Sequence, residues 1–308
     1  MPKRGRASLV RQVQEVYDSL LKIGGDKHAD KALGTMHLWI YSWETYKTYL
    51  KHSIYFATYA KETHGCRTLE EARPYAAEWI RSRIDKGLSP YTIKTEVSAL
   101  AKLFGCHGKD FGVETPSRSR CSITRSRGAK PGDIHFSEER HKDLVDFCRG
   151  TGLRRRELKY LTGDKLIENE DGTYSILVDV AAKGGRTRIA PVIGPHADEI
   201  AGRMKAAGSA RVWRAVPSHA DIHSYRSDYA TALYSAHARP REICREECFY
   251  NREHYNGKGI PKGGNDRDSI YRFKGERRGE WLDKAAMLLV SRALGHNRIS
   301  VVGAHYIR

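Results

Sequence analysis

Tyr306 lies two positions from the end of the 308-residue chain, in the run Ala293-Leu294-Gly295-His296-Asn297-Arg298-Ile299-Ser300-Val301-Val302-Gly303-Ala304-His305-Tyr306. A phenol with an ordinary pKa of about 10 is a poor nucleophile until neighbours activate it. Candidate activators recur along the second half of the chain. Arg154 and Glu157 stand three positions apart, as do His223 and Arg226. That spacing places each pair on one helical face. Lys183 precedes Gly184-Gly185, and His296 follows Gly295. Singly, each has an ordinary reading: a surface ion pair, a solvated hairpin lysine, a solvated helix face, a histidine after a helix end. Collected around one tyrosine, they would serve covalent catalysis through the phenol.

The elements that must position these residues follow from periodicity. Leu9, Val13, Val16, Tyr17, Leu20 and Leu21 recur at helical spacing and stop at Gly24-Gly25. A second, aromatic-rich helix is expected from Leu38 to Tyr59, and a third from Leu69 to Ile84, ending at Gly87. Ser89-Pro90 starts a fourth, which runs to Gly105. Residues 8–105 therefore read as a helical bundle whose aromatics belong mostly to its core. Residues 112–132 are basic, polar and without apolar periodicity, as befits a linker. Beyond it, Ser137 is expected to cap a helix carrying Leu144, Val145 and Phe147, and Leu153, Leu158 and Leu161 bury the next one.

Thr173–Val180 alternates as a strand with Tyr174, Ile176, Val178 and Val180 on one side, and Arg186–Val192 returns, so that Lys183 rides at the hairpin tip. His223–Leu233 reads as a helix. Residues 237–280 are long, polar and rich in Arg and Gly, an insertion without a core of its own. Trp281, Ala285, Leu288 and Leu289 form a helical run closed by Gly295, and Ser300 caps a last short helix bearing Tyr306. The fold class is mainly α with a small antiparallel β-sheet. The domains are 1–111 (with a basic lead-in), the linker 112–132, and 133–308.

Lys and Arg total 54 against 37 Asp and Glu, a net charge of +17 spread along the chain. This favours a polyanionic partner, double-stranded DNA first. Lys47, Lys51, Arg81, Arg83, Lys86, Lys94 and Lys102 on the helical polar faces are phosphate-contact candidates, and Lys47 and Lys94 are preferred. Arg125, Arg127 and Lys130 in the linker join them. Six cysteines lie at 66, 106, 121, 148, 244 and 248 without a disulfide framework, and no signal peptide or long apolar run appears, which points to the cytoplasm and away from a membrane. Cys244, Cys248 and His254 have a spacing zinc allows, but a second pair is missing, so no metal is assigned.

In order along the chain, Thr151-Gly152-Leu153-Arg154-x-x-Glu157-Leu158, the Lys183-Gly184 hairpin returning to Pro191, His223-x-x-Arg226, Leu294-Gly295-His296 and Tyr306 resemble the motifs of the tyrosine recombinases, the phage-type integrases. The resemblance covers residues 151–306, and the helical bundle before them looks like the core-site-binding domain of that family. It implies that Tyr306 attacks a DNA phosphodiester and leaves a 3′-phosphotyrosine and a 5′-hydroxyl. Arg154 and Arg226 would clamp the non-bridging oxygens. Lys183 would protonate the departing 5′ oxygen, His223 would act as acid or base beside Tyr306, His296 would bond the phosphate, and Glu157 would buttress the cluster. No metal and no nucleotide cofactor is needed.

The implied partners are DNA and further copies of the chain, as a tetramer on two paired sites, with accessory DNA-bending or directionality proteins as additional candidates. The implied role is integration or excision of a mobile element by a nucleoid-associated enzyme. The alternatives are type IB topoisomerase-like relaxation, which uses the same chemistry on one duplex, and a non-cleaving DNA-binding regulator. Three departures stand out. His223 and His296 are separated by an unusually long segment, nothing before residue 36 resembles an arm-site-binding domain, and almost nothing follows Tyr306. The tyrosine is therefore expected to be set by the helix before it, or by a neighbouring protomer and DNA.

Overall fold

A computed structural model describes residues 7–118, 136–180, 187–247, 249, 268–296 and 298–307. The chain divides into two compact units, Met1–Arg125 and Ser126–Arg308. Both are mainly helical, and the second contains the small antiparallel sheets.

The first unit comprises α1 (Leu9–Ser19), α2 (Lys27–Ala32), α3 (Trp43–His64), α4 (Leu69–Ala72), α5 (Ala76–Asp85) and α6 (Pro90–Leu103). The second expected helix starts later than periodicity suggests. Ile40 pairs with Leu21 in an isolated bridge, and Ser42 accepts from Thr45 N to cap α3. The third is broken at Arg73–Tyr75, where Pro74 lacks the N–H that would continue an α-helix. Ser89 and Pro90 begin α6 as expected. Val13, Tyr17, Phe56, Ile80, Val97 and Leu100 fill the core. The Tyr17 hydroxyl, buried among them, donates to Ala99 O at 2.7 Å. Two of the phosphate-contact candidates turn inward. Arg83 forks onto buried Glu96 at 3.0 and 3.2 Å, and Lys102 donates to the carbonyls of His37 and Trp39. Lys47 and Lys94 are exposed.

The second unit opens with α7 (Lys142–Thr151) and α8 (Arg155–Tyr160). Ser137 does not cap α7: its hydroxyl accepts from Arg140 N in the turn before, and His141 takes the N-cap position. A three-stranded antiparallel sheet follows, in the order β1 (Leu166–Glu168), β2 (Tyr174–Val178) and β3 (Arg188–Pro191). Val180 lies past the end of β2 and is exposed, so it does not share the inward side with Ile176 and Val178. Next come α9 (Ala197–Ala207), α10 (Ile222–His237) and α11 (Arg241–Glu246), then β4 (Ile270–Arg272), β5 (Trp281–Asp283), α12 (Lys284–Ala293) and α13 (Ile299–His305). The helix α10 packs on α7 on one side and α12 on the other, and so runs between two apolar clusters.

The polar segment 237–280 is not wholly coreless. Residues 248 and 250–267 lie outside the described residues, and Cys248 and His254 with them. On the near side α11 buries Cys244, and on the far side β4 buries Ile270 and pairs with β5, so Trp281 belongs to a strand and not to the helix. The two flanks are joined by Asp283. Its fully buried carboxylate takes a fork from Arg239 at 2.8 and 2.9 Å and also caps α12 through Ala285 N at 2.8 Å. Replacing Asp283 by Ala strands a guanidinium and uncaps a helix, which should cost about 3 kcal/mol or more. Urea denaturation of Asp283→Ala measures this, and an unchanged midpoint would contradict the joined flanks.

Candidate active site

Two helix ends supply the frame. The helix α7 stops at Gly152, whose φ of 60° is the left-handed conformation glycine tolerates; a Cβ there would come within 2.3 Å of the Tyr229 ring. Likewise α12 stops before Gly295, with φ 66°. The last carbonyls of both helices lack partners in their own helix and carry the negative end of the helix dipole. Arg226, only 1% exposed, satisfies one from each: Nη1 donates to Gly152 O and Nη2 to Leu294 O.

Arg154 precedes α8 and donates Nη2 to the same Leu294 carbonyl at 2.8 Å. Glu157, in the first turn of α8, holds it from the other side. Oε1 accepts from Arg154 Nη1 at 2.8 Å and Oε2 from Arg154 N at 2.7 Å. The i, i+3 spacing predicts this pair, and the structure forms it. It also brings in a third arginine, Arg188, to which the sequence pattern assigns no role. Arg188 Nη1 and Nη2 fork onto the Glu157 oxygens at 2.8 and 2.7 Å, and Arg188 Nε donates to Ala293 O at 2.8 Å.

Burial pushes the Glu157 carboxyl up, but the Arg188 fork, the Arg154 N–H and the two guanidinium charges outweigh it and hold the group at about 2. For Arg226, burial and then the charge of Arg154 lower the pKa to about 10, which leaves it a cation at neutral pH. Two guanidiniums thus converge on one carboxylate, and the third, Arg226, meets Arg154 at the Leu294 carbonyl.

Tyr306 sits against this cluster. Its ring centroid is 5.3 Å from that of His223 and 5.1 Å from that of His296, and the Arg226 guanidinium carbon stands 5.6 Å from it. The tyrosine is 6% exposed and is anchored within its own chain. Ser227 Oγ donates to Tyr306 O at 2.6 Å, Thr231 Oγ1 does so at 3.3 Å, and Arg277 Nη1 reaches Gly303 O at 2.9 Å. Ile299, Val302 and Ile307 bury the rest of the segment. Ser300 does not cap α13; Arg298 occupies the N-cap position without a side-chain cap bond. Among the described residues the segment is thus held by its own chain, with α10 gripping the Tyr306 carbonyl.

No family model and no curated protein matches this sequence. Among solved structures, XerH site-specific recombinase bound to palindromic difH substrate, in a post-cleavage complex, aligns with 96% of this chain and 90% of its own. The identity is 16% and the TM-score 0.50.

The chain has the tyrosine-recombinase fold.

The Tn1549 transposon integrase, in complex with transposon right end DNA, aligns with 98% of this chain and 95% of its own at 14% identity, with a TM-score of 0.46.

Within this tyrosine-recombinase fold, Arg154, Glu157, His223, Arg226, His296 and Tyr306 come together, although they are spread over more than 150 positions of sequence. Lys183, Arg125, Arg127 and Lys130 lie outside the described residues. Among the described residues no group of three or more His, Cys, Asp or Glu could hold a metal ion, and no helix is long and apolar enough to cross a membrane.

The depressed pKa of Glu157 fixes the sign of a pH effect. Its ionised form is favoured by folding, so its contribution to stability is present above the ordinary carboxyl range and is lost as pH falls through about 4.5 towards about 2. Glu157→Gln should cost about 3 kcal/mol near neutrality, and the gap to the unaltered protein should narrow as pH falls through that window. Denaturant titrations at several pH values measure it, and a pH-independent gap would contradict the ion-pair assignment.

Proposed function

We propose that this protein is a site-specific DNA recombinase that cleaves and rejoins strands through a 3′-phosphotyrosine, integrating or excising a mobile element. The observation that carries the reading is the placing of Tyr306 between two histidines and over a buried guanidinium, beside a surplus of positive charge. Such a surplus suits a phosphodiester, whose negative charge rises in the pentacoordinate transition state.

In this reading Tyr306 Oη attacks phosphorus and the P–O5′ bond breaks. The phenolic proton passes to His223 and the 5′ oxygen takes a proton from Lys183. Arg154 and Arg226 hold the non-bridging oxygens, and His296 bonds the phosphate. Attack by a 5′-hydroxyl from another strand reverses the step, so the chemistry consumes no nucleotide. The Arg226 Nε–H is buried without an acceptor among the described residues, which leaves that guanidinium capacity for an anion. Exposed Lys47 and Lys94 would add phosphate contacts, and Arg125, Arg127 and Lys130 are assigned the same role from sequence. The protein would act on DNA in the cytoplasm, as a tetramer on two paired sites.

Nicked suicide DNA carrying the cognate site tests this. The protein should form a denaturant-resistant adduct that Tyr306→Phe abolishes, and intact paired sites should yield recombinant joints, which a relaxing enzyme would not make. Arg154→Ala and Arg226→Ala should each slow cleavage by about a hundredfold or more while site binding is largely kept. An adduct that persists in Tyr306→Phe, or normal cleavage by either arginine variant, would contradict the assignment.

A further inference from the structure

We infer that Arg188 is a positioning residue for strand cleavage: it sets Arg154 through Glu157, and it sets the Leu294–His296 turn through the carbonyl of Ala293. The inference rests on the proposed function and adds a residue to it.

The strand β3 gives the first observation. Arg188 opposes Val178 and Ala190 opposes Ile176, so the arginine shares the core face of the sheet, where its side chain is 6% exposed. Ile189 between them is 56% exposed. The strand thus buries a guanidinium and leaves an isoleucine in water, the reverse of the ordinary choice. A buried charge has to be matched by partners that use its geometry.

Those partners are the second observation. The five donors of Arg188 are arranged as a fork and a side N–H. The fork takes both Glu157 oxygens, and the side N–H takes Ala293 O. Each Glu157 oxygen is then shared between Arg188 and Arg154, and the carboxylate cannot turn wholly towards Arg154. The next carbonyl along, Leu294 O, receives Arg154 and Arg226 together. The turn also lies close against the arginine: a Cβ at Gly295 would stand 3.0 Å from Arg188 Cδ. One side chain therefore ties the sheet to α8 and to the end of α12, the two elements that aim the proposed phosphate clamp.

Without Arg188, Glu157 would face Arg154 on its own element and, across a small cavity, Tyr160 and the Lys165–Asp179 pair. Burial would then raise the carboxyl with less to oppose it. A proton on Glu157 would release Arg154.

The test uses Arg188→Met, Arg188→Lys and Arg188→Met combined with Glu157→Gln in the full-length chain. Each is assayed for site binding, for suicide-substrate cleavage across pH, and for the Glu157 carboxyl titration by carbon NMR. Arg188→Met should bind the site normally but cleave at least about tenfold more slowly near neutrality. Its rate should fall further towards about pH 5, as its Glu157 titration moves up. The added Glu157→Gln should remove that acidic limb and leave the rate low. Arg188→Lys keeps a charge without the fork and should show a smaller loss, which keeps the test open if the methionine variant folds poorly.

A loss equal at every pH, with the Glu157 titration unmoved, would overturn the positioning role, as would cleavage at the normal rate in Arg188→Lys and Arg188→Met. If the titration moves as expected but the unaltered protein forms no adduct, the coupling through Glu157 stands and the strand-cleavage reading fails.

Discussion

The site depends on unpaired carbonyls at two helix ends. Every α-helix leaves its last carbonyls without internal partners, and in water they cost little. Here the ends of α7 and α12 are buried, and the carbonyls of Gly152, Ala293 and Leu294 find their donors in Arg226, Arg188 and Arg154. The requirement is mutual. A buried guanidinium without acceptors would be costly by several kcal/mol, and a buried carbonyl without a donor by about 1–3 kcal/mol. Satisfying both at once brings Arg154 and Arg188 onto one carboxylate and Arg226 onto the carbonyl it shares with Arg154. The two left-handed glycines make it possible, since the chain must reverse at each helix end in direct contact with Tyr229 in one case and Arg188 in the other.

The nucleophile is tied to the same frame. One helix, α10, carries His223 and Arg226 and then, in the next turn, the hydroxyls of Ser227 and Thr231 that hold the Tyr306 carbonyl. The tyrosine is therefore anchored to the element that carries two of the groups proposed to activate it. Because α10 is wedged between α7 and α12, a shift of any one of the three would disturb the arginines and the tyrosine together.

Much of this was legible in the sequence. The glycine stops, the Arg154–Glu157 and His223–Arg226 spacings and the helical bundle follow local rules, which one chain displays openly. What was missed is non-local. Arg188 sits where hydrophobic alternation would place Ile189 inward, and only the pairing with β2 reveals the inversion. The burial of 1% at Arg226 reflects two helix ends, one 74 and the other 68 positions away. The segment around 237–280 looked coreless because its buried residues, Cys244 and Ile270, are few and lie at its two flanks, joined through Asp283 beyond it. Ser300 failed as a cap although its residue type suits one. The Tyr306 anchor could not be found by pattern at all, since it is a serine hydroxyl on a backbone carbonyl 79 positions away.

Among the described residues, one chain gathers Arg226 and the two histidines of the site around its own tyrosine. Mixing Tyr306→Phe with Arg154→Ala protein on suicide DNA tests it most directly. If each chain uses its own tyrosine, neither variant can complete a site and the mixture forms no covalent adduct. An adduct on the Arg154→Ala chain, restored only in the mixture, would mean that the tyrosine is delivered to a neighbour and would contradict the account.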